Sequence, residues 1–217
     1  MFRRVRIEII ARPRSRWHSG AAGAESGLLD KYLLLDGRGR PYIPGSSLKG
    51  KLRAYARHLV NCLNGFVPCS GAADCPCDVC ELFGSSGNRP GRLYFPDLYL
   101  TGEESGFSLH TAGRVALERY RRVARDQALA FIQVAELGAG AVWQGEITGT
   151  LAGEALKRQL VLLSLALRQI YALGGGVSGG WGRLNLDWQV YWVDQDGECC
   201  LSPDLLQKWS EEIWNGR

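Results

Sequence analysis

Residues 27–59 read GLLDKYLLLDGRGRPYIPGSSLKGKLRAYARHL. The run joins a lone carboxylate, a short apolar strand, a tight turn and a basic helix. Pro44-Gly45 stops the strand, because proline fixes φ and glycine frees it. Ser46 and Ser47 are the expected N-caps of the helix that follows. From Leu48 the apolar residues fall at Leu48, Leu52, Tyr55, Ala56 and Leu59, which is helical spacing. Lys49, Arg53 and Arg57 recur every fourth residue and share a different face. A helix N-terminus with unpaired N–H groups beside a row of cations is a site for phosphates. The alternative is a solvated helix whose charges only keep it soluble.

Upstream, Val5-Arg-Ile-Glu-Ile alternates apolar and polar residues and predicts a strand with one face on a core. Arg12 to Gly27 reads as loop, with His18 expected to be solvated, and with Gly20, Gly23 and Gly27 allowing close backbone approach. Asp36-Gly37 reads as the turn of a hairpin between Leu33–Leu35 and Pro41–Ile43, which leaves Asp36 a structural role.

Downstream of the helix, Cys69, Cys75, Cys77 and Cys80 end in a C-x-C-x₂-C pattern. Four thiols so close together are a metal-site signal, and Zn²⁺ suits four thiolates held tetrahedrally. Free thiols, disulfides in an oxidising compartment, and an iron–sulfur cluster are the alternatives. His58 and Cys62 are spare ligands near the helix end. Arg92–Leu100 is rich in strand formers but broken by Pro96, which suits an edge or bulged strand. Between Ser108 and Gln127 lie Arg114, Arg119, Arg121, Arg122 and Arg125, with Tyr120 among them, a composition that suits phosphates and stacked bases. Strands are predicted at about Ala130–Ala135 and Val142–Leu151, joined by Gly138-Ala-Gly140, and a well-buried helix over Gly153–Ala172. Six glycines then fall within Gly174–Arg183, where backbone amides can approach phosphate. A final strand is predicted over Leu184–Val193 and a short helix capped at Ser202, with Pro203 in its first turn. Cys199-Cys200 reads as an exposed turn.

A hydrophobic content of 46% excludes a disordered chain. The net charge of +4 is modest, so the clustering of basic residues carries more meaning than the total. The N-terminus turns charged at Arg3 and Arg4 with no apolar signal region, and Leu160–Leu167 is too short to cross a bilayer. Seven cysteines without a secretory signal point to a reducing compartment, so a cytoplasmic location with no membrane partner is expected. The strand–helix–strands–helix–strand order predicts an α+β fold with a ferredoxin-like or RRM-like core.

Tyr42-Ile-Pro-Gly-Ser-Ser-Leu-Lys-Gly-Lys-Leu-Arg53 resembles the "IPGSSLKGxLR" signature of the RAMP superfamily (repeat-associated mysterious proteins). Cys80-Glu-Leu-Phe-Gly84 resembles the "CxLFG" end of a metal loop in that family, and residues 174–183 its "GGxxxxGxGR" loop. Within the family the chain is most similar to backbone subunits of type III CRISPR effector complexes. The resemblance implies one RAMP domain over residues 1–217. It also implies a zinc-binding insertion at about 61–90 and a thumb-like β-hairpin insertion at about 101–145. It further implies sequence-independent binding of the CRISPR guide RNA (crRNA) through Ser46, Ser47, Lys49, Arg53, Arg57, Arg114, Arg119, Arg121, Gly175, Gly176, Trp181 and Arg183.

In catalytic members an aspartate precedes the IPGSS turn by a short loop. Asp30, fourteen positions before Pro44, matches it. The implied chemistry is endoribonuclease cleavage of complementary target RNA, with Asp30 accepting the proton of the attacking 2′-hydroxyl or holding Mg²⁺ or a similar divalent cation. The acid that often precedes the family's hairpin arginine is replaced here by Gly113, before Arg114. The implied partners are the guide, the target RNA and other subunits of the complex, further RAMP subunits included. A non-catalytic guide-binding subunit and a processing endonuclease with His18 as base are the competing readings.

Overall fold

The computed structural model describes residues 2–22, 29–85, 89–102, 106–118, 120–194 and 197–215. Gly23, Gly27 and Arg119, singled out above, lie outside the described residues.

The alternation of Val5, Ile7, Ile9 and Ala11 forms a long first strand, β1 (Phe2–Pro13), whose buried residues all point to one side. It runs well past the predicted Val5–Ile9. Two short strands follow, β2 (Gly20–Ala22) and β3 (Lys31–Leu33), so the expected loop contains a strand. Asp36 then closes a turn: its carboxylate accepts the N–H groups of Arg38 and Arg40, each at 2.9 Å. Burial pushes the Asp36 pKa up, but those two N–H groups and the Arg40 guanidinium outweigh it and hold it below the usual value.

Helix α1 (Gly45–Cys62) buries Leu48, Leu52, Ala56 and Val60, one residue per turn. Its N-cap is Pro44 with no side-chain cap, so Ser46 and Ser47 lie inside the helix and are not the caps the sequence suggested. The cysteine loop leads into α2 (Asp78–Phe83), then β4 (Gly84–Ser85) and β5 (Arg89–Pro90), which pair with each other. The strand predicted around Pro96 is split into β6 (Leu93–Tyr94) and β7 (Tyr99–Thr101), both antiparallel to the strand over residues 142–152. Proline cannot donate to a ladder, and pairing stops on either side of it.

The arginine-rich segment is a long hairpin, β8 (Phe107–Glu118) and β9 (Val123–Leu137). Its base is buried at Ile132, Val134 and Ala135, while Val115, Leu117, Tyr120, Val123 and Leu129 are exposed towards the tip. Gly138–Gly140 does not pair β9 with the next strand, β10 (Val142–Ala152). It carries the chain from one sheet to the other. Helix α3 (Leu156–Arg168), β11 (Leu184–Asp194), β12 (Gly197–Cys200) and α4 (Pro203–Trp214) complete the chain. Cys199 and Cys200 therefore sit in an edge strand rather than a turn. Ser202 caps α4 by accepting the Leu205 N–H.

The larger sheet runs β12-β11-β1-β10-β6, with β7 also on β10, and every pairing in it is antiparallel. The apolar faces of α1 and α3 share one continuous core with its strands. The smaller sheet runs β2-β3-β9-β8. Reciprocal hydrogen bonds between Trp17 and Ala135, both 2.8 Å, and a tilted ring contact of Trp17 with Trp143, centroids 4.8 Å apart, join the two sheets. Together these make a mixed α+β, sheet-rich fold. No described helix is long and apolar enough to cross a membrane.

Asp78 ties α2 to α3. Its carboxylate is 2% exposed and accepts Arg158 Nε at 2.7 Å, Arg158 Nη2 at 3.0 Å and Gln159 Nε2 at 3.3 Å. Asp78→Ala removes the partner of Arg158 and one of two acceptors of the Gln159 amide, which keeps Glu81 Oε2 at 2.9 Å. Arg158 is 41% exposed, so water recovers part of the loss. The expected destabilisation is about 2–3 kcal/mol, at or below the lower end for breaking a buried pair, and urea unfolding measures it.

Candidate nucleic-acid interface and metal centre

An open cleft of about 630 Å³ lies where the two sheets meet the start of α1. One wall is the outer face of α1's first turns, Ser46, Ser47, Gly50, Lys51 and Ala54. The opposite wall is the glycine-rich stretch 172–177. His18, Ser19 and Gly20 after β1, Lys31 of β3, and Arg114 and Ile132 of the hairpin complete it. Lys31, Lys51 and Arg114 bring three cations to the cleft, and no described carboxylate lines it. The small residues of α1 make the room, since Ser, Gly and Ala project little side chain.

The glycine-rich loop forms a 3₁₀ turn at Val177–Gly179. Much of its glycine content serves internal packing. A Cβ on Gly182 (φ +69°) would fall 1.9 Å from the Leu173 carbonyl, so no other residue fits. Gly175 N–H donates to His18 O at 2.7 Å and Gly182 N–H to Arg16 O at 2.8 Å, docking the loop against the end of β1. Arg114 reaches across from β8 and lies 4.5 Å over the Trp181 ring. This cation–π contact fixes the hairpin base to the loop.

The structure thus brings Ser46, Ser47, Arg114, Gly175 and Gly176 of the expected set to one cleft. Trp181 joins them through Arg114. Lys49, Arg53 and Arg57 run along a neighbouring face and do not line it. Lys49 Nζ sits 5.9 Å over Phe95, and the Arg57 guanidinium lies against Gly71 of the cysteine loop. Arg183 donates its backbone N–H to Ser15 Oγ at 2.9 Å beside the loop. Arg121 is 73% exposed near the hairpin tip, 3.9 Å from Glu118. The sequence reading missed Lys31 and Lys51, and named His18 only as the base of the competing processing reading. A signal for Lys51 was present: it shares a face with Ser47, Gly50 and Ala54, and a stripe of small residues marks a groove.

Asp30 is exposed and directly precedes the cleft residue Lys31. Its Oδ2 accepts Phe131 N–H at 2.7 Å, and its own N–H donates to Phe131 O at 2.9 Å. The carboxylate is therefore held on β9 at the cleft's margin. His18 is buried, not solvated as expected. Its Nδ1 faces Gln133 O at 2.7 Å, so Nδ1 carries the proton and Nε2 is left as the acceptor. Burial lowers its pKa below the usual histidine value; the Gln133 carbonyl opposes this, and the charges of Lys31 and Arg114 add to it. The imidazole is neutral at pH 7.

Away from the cleft, Cys69, Cys75, Cys77 and Cys80 are all buried, with sulfurs within 4.8 Å of one another, close enough to hold a metal ion. Cys69 and Cys80 sulfurs are 3.8 Å apart and no disulfide forms. The loop is anchored to α1 by Cys69 N–H donating to Asn61 Oδ1 at 2.9 Å. His58 and Cys62 are exposed and 3.9 Å from each other, outside the cluster. Hydrogen bonding to Ser70, with help from the Cys77 N–H, pulls the Cys75 thiol down to about 6, whereas burial pushes Cys77 and Cys80 up. Four adjacent thiolates need a cation among them.

The family model for the RAMP superfamily matches residues 12–185. No curated protein matches the sequence. Among solved structures, the fold is similar to a type III-B Cmr-beta structure determined by cryo-EM with cognate target RNA bound. Identity to it is 12% and the TM-score 0.61, over 84% of this chain and 96% of that one. The apo state of type III-B Cmr-beta, also by cryo-EM, gives 13% identity and a TM-score of 0.59 over the same shares.

Proposed function

Because this chain belongs to the RAMP superfamily, we propose that it is a guide-RNA-binding backbone subunit of a cytoplasmic type III CRISPR effector complex, and that it cleaves complementary target RNA. The observation that carries the proposal is the cleft. Two serines, a glycine-rich backbone and three cations line it without a described carboxylate. Such a lining reads phosphate and ribose but not base edges, which suits a subunit that must accept any guide. The likeness in fold to Cmr-beta, one structure of which was solved with cognate target RNA, agrees with it.

The sheet order β11-β1-β10-β6, with α1 and α3 as crossovers, supports a ferredoxin-like core. The cysteine loop and the β8–β9 hairpin are then insertions. Zinc fits the cysteine site: at Zn–S distances of about 2.3 Å a tetrahedron has S···S edges of about 3.8 Å. The Cys69–Cys80 separation of 3.8 Å matches that. With four ligands and no open position the site is structural, so it lies outside the cleavage chemistry. Asp30 is the residue for cleavage. Mg²⁺ or a similar divalent ion would lower the cost of developing charge on the phosphate when bound beside it.

RNA binding by the purified chain is the direct test. Three cleft cations predict that affinity for single-stranded RNA falls about twentyfold between roughly 50 and 200 mM salt. A flat salt response removes the proposal. A processing endonuclease is the second reading, favoured by one observation: the neutral His18 imidazole lines the cleft. Cleavage of precursor RNA by the isolated chain would promote it.

A further inference from the structure

The first turn of α1 forms one lip of the cleft, yet no side chain near it in sequence caps it. The cap comes from 52 residues away. Gly45 N–H donates to Asp97 Oδ1 at 2.8 Å. Asp97 lies between β6 and β7, in the stretch where Pro96 interrupts pairing. We propose that Asp97 is a positioning residue, fixing the first turn of α1 so that Ser46 and Ser47 face the cleft. The inference rests on the RNA-binding reading above.

A helix leaves its first four N–H groups without intrahelical partners or nearly so. Here Ser47 and Leu48 give theirs to Pro44 O at 2.9 and 3.2 Å, and Gly45 gives its own to Asp97. Ser46 N–H is then the one amide of that turn with no partner among the described residues. Ser46 is exposed and lines the cleft. The turn's remaining donors are therefore that amide and two hydroxyls.

Asp97 is itself held firmly. Ile43 and Leu98 exchange backbone hydrogen bonds at 3.0 and 2.9 Å, and Tyr99 Oη donates to Asp97 Oδ2 at 3.4 Å. The same segment presses on Gly45: a Cβ there would fall 2.1 Å from Phe95 O. One stretch of chain thus imposes a steric and a hydrogen-bonding constraint on the turn. A carboxylate at a helix N-terminus also satisfies the helix dipole. A phosphate gains little by sitting on the helix end and is left to the side of the turn, where Lys51 and Lys31 stand.

The test compares Asp97→Ala and Asp97→Asn in the full chain, using a labelled single-stranded RNA of mixed sequence. Asp97→Ala is expected to bind about tenfold more weakly, the scale of one charge-assisted hydrogen bond. Asp97→Asn keeps an acceptor and is expected to restore affinity to within about twofold. Replacing Ser46 and Ser47 together by Ala should weaken the wild-type chain but add little to Asp97→Ala, because the turn is already misaligned. Additive losses, or Asp97→Ala binding like wild type, overturn the proposal. Should Asp97→Ala not fold, Asp97→Ser, whose side chain is shorter and lacks the carboxylate, takes its place: a tenfold loss restored by Asp97→Asn supports the proposal, and wild-type affinity overturns it. A wild-type chain that binds no RNA would instead overturn the RNA-binding reading.

Discussion

Assembled with its guide and partner subunits and given target RNA and Mg²⁺, the Asp30→Ala chain is expected to lose cleavage by about two to four orders of magnitude, the range supplied by a positioned acid–base group. RNA cleavage of this kind begins when a 2′-hydroxyl attacks the adjacent phosphate, and its proton must go to an acceptor. Asp30 is suited to that by placement. Phe131 N–H binds Oδ2 at 2.7 Å, which fixes the carboxylate's direction, and the neighbouring Lys31 already lines the cleft. The substitution removes no core contact, because Asp30 is exposed. Guide binding should therefore persist while cutting stops. Asp30→Asn offers a sharper version, since it retains an acceptor for Phe131 N–H but is a far poorer base. Unchanged cleavage in either variant would make the chain a guide-binding scaffold with no cutting role. Asp36 provides the control: it caps its own turn through Arg38 and Arg40, and its loss should cost stability rather than chemistry.

Cys77→Ser is expected to release about one equivalent of zinc. Cys77 is wholly buried within the four-sulfur cluster, and its sulfur also accepts the Cys80 N–H as the cap of α2. Losing it leaves three buried thiols without a shared cation and frees α2 from its loop. The cost should be on the order of 4 kcal/mol, below the roughly 10–16 kcal/mol that zinc contributes to domains with no other core. Metal stoichiometry and thermal melting measure the two effects. Cys62→Ser should leave both unchanged, since Cys62 is exposed and outside the cluster. Metal retained by Cys77→Ser would mean that the ligand set is different. The cleft draws no residue from this loop, so RNA affinity measured on any folded fraction is expected to fall little.

Much of this was legible in the sequence because it is local. Apolar period 2 in β1 and period 3.6 in α1 and α3 mark elements whose inner faces need no knowledge of their partners. Pro96 announced an interrupted strand, and Ser202-Pro203 announced the start of α4. Four cysteines within one short loop can meet without long-range help. The glycine-rich loop stood out by composition, and the IPGSS turn by its resemblance to the family signature.

Periodicity cannot say which outer face of a helix meets another element. Lys49, Arg53 and Arg57 form as regular a row as Ser47, Gly50, Lys51 and Ala54. Only the approach of β3, β8 and the 172–177 stretch selects the second row as a cleft wall. His18 looked solvated because what surrounds it in its loop, Gln133 included, comes from over a hundred positions away. The cap of α1 was invisible for the same reason, since its acceptor is supplied by Asp97 from another part of the chain. Sequence by itself determined the long amphipathic elements, the clustering of the four cysteines and the family signature, since each depends on neighbours along the chain. Tertiary structure alone decided which cations share a groove and what holds the turn that faces it, because those choices are made by strand pairings between distant residues.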